Sequence, residues 1–209
     1  MAKLNRLFTS IAAVLCLVFA TSSCSEHEEA GEFDNWQERN QHYVDSIAAE
    51  ARINADGKWV RIKAYTLSDS QEADADNNHY IYARRIDTGT GTYNPLYTDS
   101  VRVHYSGRLI PSATYPKGYN FGKSYSTSVL NEATDVPALM GVSQNIVGFA
   151  TALMHMVEGD RWEIVIPYYL GYGTGNSSQT GIPGYSALIF DVKLARIYRY
   201  QIDLDTSWH

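Results

Sequence analysis

Cysteine is nearly missing from this chain: 209 residues contain only Cys16 and Cys24. Neither a disulfide framework nor a four-thiolate metal site can be built from two thiols, so stability has to come from a packed core. Long apolar runs are missing as well. The one extended stretch, Leu7 to Ala20, is interrupted by Thr9 and Ser10 and falls short of the roughly 20 apolar residues of a stable spanning helix. Positive charge is scarce, with 17 Lys and Arg against 23 Asp and Glu and a net charge of −6. That balance argues against a nucleic-acid partner, whose phosphates demand basic patches.

The usual catalytic signatures are absent too. No Gly-x-Ser-x-Gly elbow occurs, and the histidines (His27, His42, His79, His104, His155, His209) are scattered without a pair at helical ligand spacing, so no metal is expected. The acidic stretch Ser68 to Asn78 lacks the glycine and closing glutamate of a calcium loop. Gly89 and Gly91 precede a strand rather than a helix, and Gly171 to Gly175 lacks dinucleotide-binding spacing, so no cofactor is expected.

What is present begins with Lys3 and Arg6, the apolar middle, and Thr21-Ser22-Ser23-Cys24. This is the layout of a signal peptide over residues 1–23. A cysteine after small residues resembles a bacterial lipoprotein signal, which predicts Cys24 as the lipidated first residue and a location in the cell envelope. The alternative is an ordinary secretory signal that leaves Cys24 as a free thiol. Removing residues 1–23 takes away Lys3, Arg6 and no acid, so the mature chain carries −8. Residues 24–34 are polar and acidic and read as a flexible tether.

From Asn35 the pattern becomes helical. Asn35 and Glu38 suggest a capping box, and Trp36, Tyr43, Ile47 and Ala51 share a face that is expected to dock within the chain. Strands follow at Lys58–Leu67 and His79–Ile86, so residues 35–98 form a helix and strand extension. Further strands are expected at Asp99–Ile110, Ala138–Met140, Arg161–Ile166 and Tyr185–Tyr198, with a helix at Asn145–Met156 and a long loop from Pro111 to Ser128. The sum is an α+β fold of antiparallel strands wrapped around one short helix. Tyr168, Tyr169 and Tyr172, on a glycine-bearing loop after Pro167, are large rings of the kind that cover or grip something.

Residues 99–197 resemble an FK506-binding-protein (FKBP) domain. The resemblance is carried by Val103 to Leu109 (VHYSGRL), Phe121, Asn145 to Phe149 (NIVGF), Gly159-Asp160, Ile166-Pro167, Leu170 to Gly173 (LGYG), Ile182-Pro183 and Leu188 to Val192 (LIFDV). It implies a curved antiparallel sheet around a short helix and peptidyl-prolyl cis-trans isomerisation, with proline-containing segments of exported proteins as partners. The extension resembles that of lipoprotein members from Bacteroidetes-like bacteria, and residues 198–209 read as a tail. Carried over by position, the catalytic pocket would consist of Tyr105, Phe121, Ile146, Phe149, Tyr172 and Phe190. Val136 and Ile182 would complete the substrate-binding surface. Phe149 stands where the family often has Trp, Val136 where an aromatic is usual, and Gly122 where an acidic residue normally follows Phe121. Ile146 would offer its backbone N–H, and Tyr172 its hydroxyl, to a substrate carbonyl.

Overall fold

The computed structural model describes residues 31–68, 76–176 and 181–199. The expected signal peptide with Cys24, and nearly all of the C-terminal tail, lie outside them. Strands are numbered β1 Trp59–Lys63, β2 Tyr80–Asp87, β3 Ser100–Arg108, β4 Asn120–Lys123, β5 Ala138–Gly141, β6 Arg161–Ile166 and β7 Leu188–Tyr198; the helices are α1 Trp36–Ile53 and α2 Val147–Leu153.

The last strand is the most central one. Leu188, Phe190, Val192 and Leu194 are all buried, as period-two alternation requires of a strand with one face on a core. β7 pairs with β6 along one edge and β3 along the other. The whole sheet is antiparallel with seven strands, in the order β1-β2-β6-β7-β3-β4, and β5 pairs with β3 beyond the end of β4. Thus β3 is covered on its outer edge by two short strands in succession. Between them, Ser124 closes the gap by donating its backbone N–H to the Tyr105 carbonyl at 2.9 Å and accepting the Tyr105 N–H on Oγ at 3.0 Å.

α2 packs against β6, β2 and β1, and its residues Gly148 to Leu153 are all buried. Gly148 makes this possible, because a methyl there would overlap Ile166 Cγ2 on β6. The helix is shorter than the spacing of apolar residues predicted: Asn145 and Ile146 precede it, and Met154 to Met156 close it in a turn. The stretch expected to be a loop from Pro111 to Ser128 contains β4. Only four residues long and half exposed, β4 presents too little alternation to stand out in sequence.

α1 docks on the domain, as its apolar stripe predicted. The buried line is Trp36, Asn40, Val44 and Ala48, with Tyr43, Ile47 and Ala51 packed at its flank. Trp36 donates its indole N–H to Ser186 Oγ at 2.9 Å, and the Asn40 side-chain oxygen accepts the Ala187 N–H at 2.8 Å. A buried polar residue is tolerated because its hydrogen bonds are made. The capping box is not formed: Asn35 is left-handed at φ 50 and makes no side-chain cap. A turn from Phe33 leads into the helix instead, with the Trp36 N–H donating to the Phe33 carbonyl at 3.1 Å. At the other end Asn54 clamps Trp59, donating to its carbonyl at 3.2 Å and accepting its N–H at 2.9 Å.

The Glu158-Gly159-Asp160 turn ties the start of β6 to its surroundings. Asp160, 6 % exposed, accepts the N–H of Gly89 at 2.7 Å and of Val157 at 2.8 Å. Gly91 donates to the Glu158 carbonyl at 3.0 Å, so the glycine-rich segment after β2 is a strap over this turn. Asp160→Ala leaves two part-buried donors without their acceptor and should lower the unfolding free energy by roughly 1–3 kcal/mol, read as a lower urea midpoint at unchanged slope. A loss below the error of the measurement would mean that the strap does not depend on this carboxylate.

Candidate active site

Six parts of the fold converge on a cavity of about 360 Å³. Tyr105 comes from β3, Phe121 and Gly122 from β4, Met140 from β5, and Phe190 from β7. Gln144, Asn145 and Ile146 line it from the segment entering α2, Phe149 from α2 itself, and Tyr172 from the loop after β6. Thus Tyr105, Phe121, Ile146, Phe149, Tyr172 and Phe190, expected from sequence to meet, share one cavity. Val136 and Ile182 do not line it. Val136 is 71 % exposed, held outward because the next residue's carbonyl, on Pro137, accepts a hydrogen bond from Arg102 at 3.1 Å. Ile182 is 1 % exposed, absorbed into the core under the loop that Ser186 and Trp36 pin. Met140, Gln144 and Asn145 were not foreseen; their spacing before α2 carries no chemistry until the segment folds over the cavity.

The cavity walls are a chain of rings in edge-to-face contact. Phe190 lies 5.4 Å from Phe121 at 81° and 5.0 Å from Phe149 at 69°, and Phe149 lies 6.4 Å from Tyr105 at 79°. Such pairs set the positive edge of one ring against the negative face of the next, each worth about 0.5–1.5 kcal/mol beyond burial. Gly107 on β3 is the reason they fit: a methyl there would stand 2.7 Å from Phe190 Cε1 and closer still to the Phe121 ring.

Among the described residues no charged side chain lines this space. Its polar groups are hydroxyls, amides and backbone. Asn145 is committed to the backbone, donating to the Gly141 carbonyl at 2.7 Å, and Gln144 accepts the Gly141 N–H at 3.3 Å. The Ile146 N–H, just ahead of α2, has no partner among the described residues. Nor does the Tyr172 hydroxyl, and burial, followed by the nearby Tyr105, pushes its pKa up. Both are therefore donors open to a guest. At Gly122, an added Cβ would meet only Tyr105 Cε2, at 4.0 Å; the position is open space on the wall. Among the described residues no cluster of His, Cys, Asp or Glu could hold a metal ion.

A curved antiparallel sheet here holds an aromatic cavity with open hydrogen-bond donors at the start of a short helix, an arrangement suited to an apolar group that carries an acceptor. Residues 91–195 match the family profile described as FKBP-type peptidyl-prolyl cis-trans isomerase. The chain is 37 % identical over 115 residues to a macrophage infectivity potentiator of Trypanosoma cruzi, covering 54 % of this chain and 51 % of that protein. Similarity to the FKBP-type 22 kDa peptidyl-prolyl cis-trans isomerase of Escherichia coli is 38 % over 114 residues, covering 54 % and 48 %. The chain thus spans about half the length of these two relatives. A crystal structure of a peptidyl-prolyl cis-trans isomerase from Pseudomonas syringae pv. tomato superposes with a TM-score of 0.53 at 23 % identity, over 78 % of this chain and 96 % of that one, a likeness of fold. This chain belongs to the FKBP-type peptidyl-prolyl cis-trans isomerase family.

Two outcomes follow from the geometry. Gly107→Ala overpacks the ring chain and should cost about 1–3 kcal/mol of stability while reducing occupancy of the cavity by an apolar probe; unchanged binding and stability would mean the rings have room to shift. Because burial raises the pKa of Tyr172 above the ordinary value of about 10 and so keeps its proton on to higher pH, and no carboxylate or imidazole of the described residues lines the cavity, occupancy of the cavity by an uncharged probe should be flat between about pH 6 and 9. A titration inside that window would implicate a group outside the cavity.

Proposed function

We propose that this protein is a lipid-anchored peptidyl-prolyl cis-trans isomerase that acts on proline-containing segments of exported proteins. The observation that carries the catalytic part is an uncharged cavity walled by edge-to-face rings, with the Ile146 N–H and the Tyr172 hydroxyl as open donors. A planar amide is held by resonance, with a rotation barrier of about 18–20 kcal/mol, and an unaided Xaa-Pro bond takes tens to hundreds of seconds to turn. In the twisted form the amide has lost that resonance, and its carbonyl is less polar and displaced. An apolar pocket disfavours the hydrated planar state, ring shape favours the proline ring of the twisted state, and a donor can follow the displaced oxygen. No bond is made to the protein and no proton is moved. A cavity without a nucleophile or a titrating pair suits this reaction.

The anchoring part rests on the sequence: Lys3 and Arg6, the apolar stretch to Ala20, and Cys24 after Thr21-Ser22-Ser23 support a lipoprotein of a Bacteroidetes-like bacterial envelope. No helix of the described residues is long and apolar enough to cross a membrane.

Exchange NMR on short Xaa-Pro peptides tests the catalysis. The wild-type chain should accelerate exchange, Phe190→Ala should abolish the acceleration, and Tyr172→Phe should cost up to about tenfold, the worth of one neutral hydrogen bond. Unaltered rates in both variants would remove the cavity from the reaction. The glycine at position 122 supports a second reading, a peptide-binding module on an isomerase fold. Gly122→Asp decides between them: an added Cβ meets nothing closer than Tyr105 at 4.0 Å, and acceleration by this variant alone would make the natural chain a binder.

A further inference from the structure

We infer that the face formed by Phe33 and the Pro111–Tyr119 loop rests on the lipid bilayer, an inference that builds on the lipid-anchor reading of Cys24. The chain enters its folded unit at Glu32. At that point it is fastened to the loop between β3 and β4. Glu32 accepts the Thr114 N–H at 3.3 Å, and Arg39 donates to the Glu32 carbonyl at 3.0 Å and to the Pro111 carbonyl at 3.3 Å. Next to these bonds stand three large rings open to solvent: Phe33 at 48 %, Tyr115 at 42 % and Tyr119 at 41 % exposed. Tyr115 and Tyr119 stack edge to face at 5.1 Å, and Phe33 packs edge-on against Trp36 at 5.1 Å, so they are presented in fixed orientations. Pro111, Ala113, Pro116 and Lys117 beside them are exposed too.

Tether length names the occupant. From Cys24 to Glu32 the chain advances eight residues, which reach at most about 29 Å however they are arranged. A lipidated Cys24 therefore keeps Glu32, and the rings around it, within one small-domain diameter of the membrane surface. Tyrosine with a flanking Lys suits the headgroup–acyl boundary, where an apolar body and a wet tip are both accommodated. The exposed acids Asp34 and Glu38 offset Lys117, so attraction to anionic lipid is not the main force; the rings are.

The far end of α1 supplies a control. Its 18 residues span about 27 Å, and Ala55, just beyond, is exposed. With Cys24 acylated and Cys16 removed with the signal, a new cysteine is the single thiol of the full chain. Lys117→Cys and Ala55→Cys would each be labelled with bimane in the lipidated protein, carried on phosphatidylethanolamine–phosphatidylglycerol vesicles, and quenched with iodide. At position 117 quenching should be about threefold weaker than at 55, as expected of a face buried in the headgroup zone. Adding Phe33→Ser, Tyr115→Ser and Tyr119→Ser should erase the difference with the far-UV circular dichroism of the folded chain unchanged. Equal quenching at the two positions, or shielding that persists without the rings, overturns the membrane face. The intact mass separates the failures: an acylated Cys24 with equal quenching sinks this inference alone, whereas an unmodified Cys24 removes the anchor and this inference with it.

Discussion

Phe190 is the contact on which both the core and the cavity depend. Its ring touches Phe121 and Phe149 edge to face, while its strand is paired with β3 and β6 on either side. Phe190 is itself 6 % exposed, so the residue that ends the hydrophobic core also begins the cavity wall. The cost of this economy falls on β3, where Gly107 has to give up a side chain to make room. Packing at interior density leaves no slack for one added carbon at such a place. The floor of the cavity is therefore rigid for the same reason that the sheet is stable.

Rigidity matters more here than charge. The proposed isomerisation requires a site that holds a shape, with its donors fixed where the displaced carbonyl of a twisted amide arrives. Asn145 contributes to that by binding the Gly141 and Val142 carbonyls, which ties the segment carrying Ile146 to the end of β5. On the opposite wall, Gly122 leaves open space beside Tyr105. The charge of the chain is concentrated instead on surfaces away from the cavity, as in the bidentate pair of Arg161 with Asp191 at 2.9 and 2.7 Å.

The N-terminal extension is continuous with the domain that the family profile covers. β1 and β2 add two strands beyond β6 in the same sheet, although both precede residue 91, where the family match begins. α1 then closes over the loop before β7 through Trp36 and Asn40. Residues far apart in the chain thus share a single core, since Trp36, Trp59 and Tyr82 belong to the same buried cluster as Phe149 and Phe190. The edge of the sheet is protected by Asn54, whose side chain occupies both outward backbone groups of Trp59 in the manner of a neighbouring strand.

The sequence by itself determined the longer elements and the residue types of the cavity. Alternation over Arg161–Ile166 and Leu188–Tyr198 is a local property with a period of two, and the ring-bearing positions Tyr105, Phe121, Phe149, Tyr172 and Phe190 sit within a pattern specific enough to read in order. Tertiary structure alone decided what depends on contacts between distant residues. Asn35 is a turn rather than a cap because Trp36 is pinned to Ser186, 150 residues away. Val136 faces solvent and Ile182 the core because their neighbours are anchored elsewhere. Met140, Gln144 and Asn145 join the cavity only once β5 and α2 are folded against β3. Side-chain type is written one residue at a time, whereas which surface a side chain reaches is set by partners that no local pattern contains.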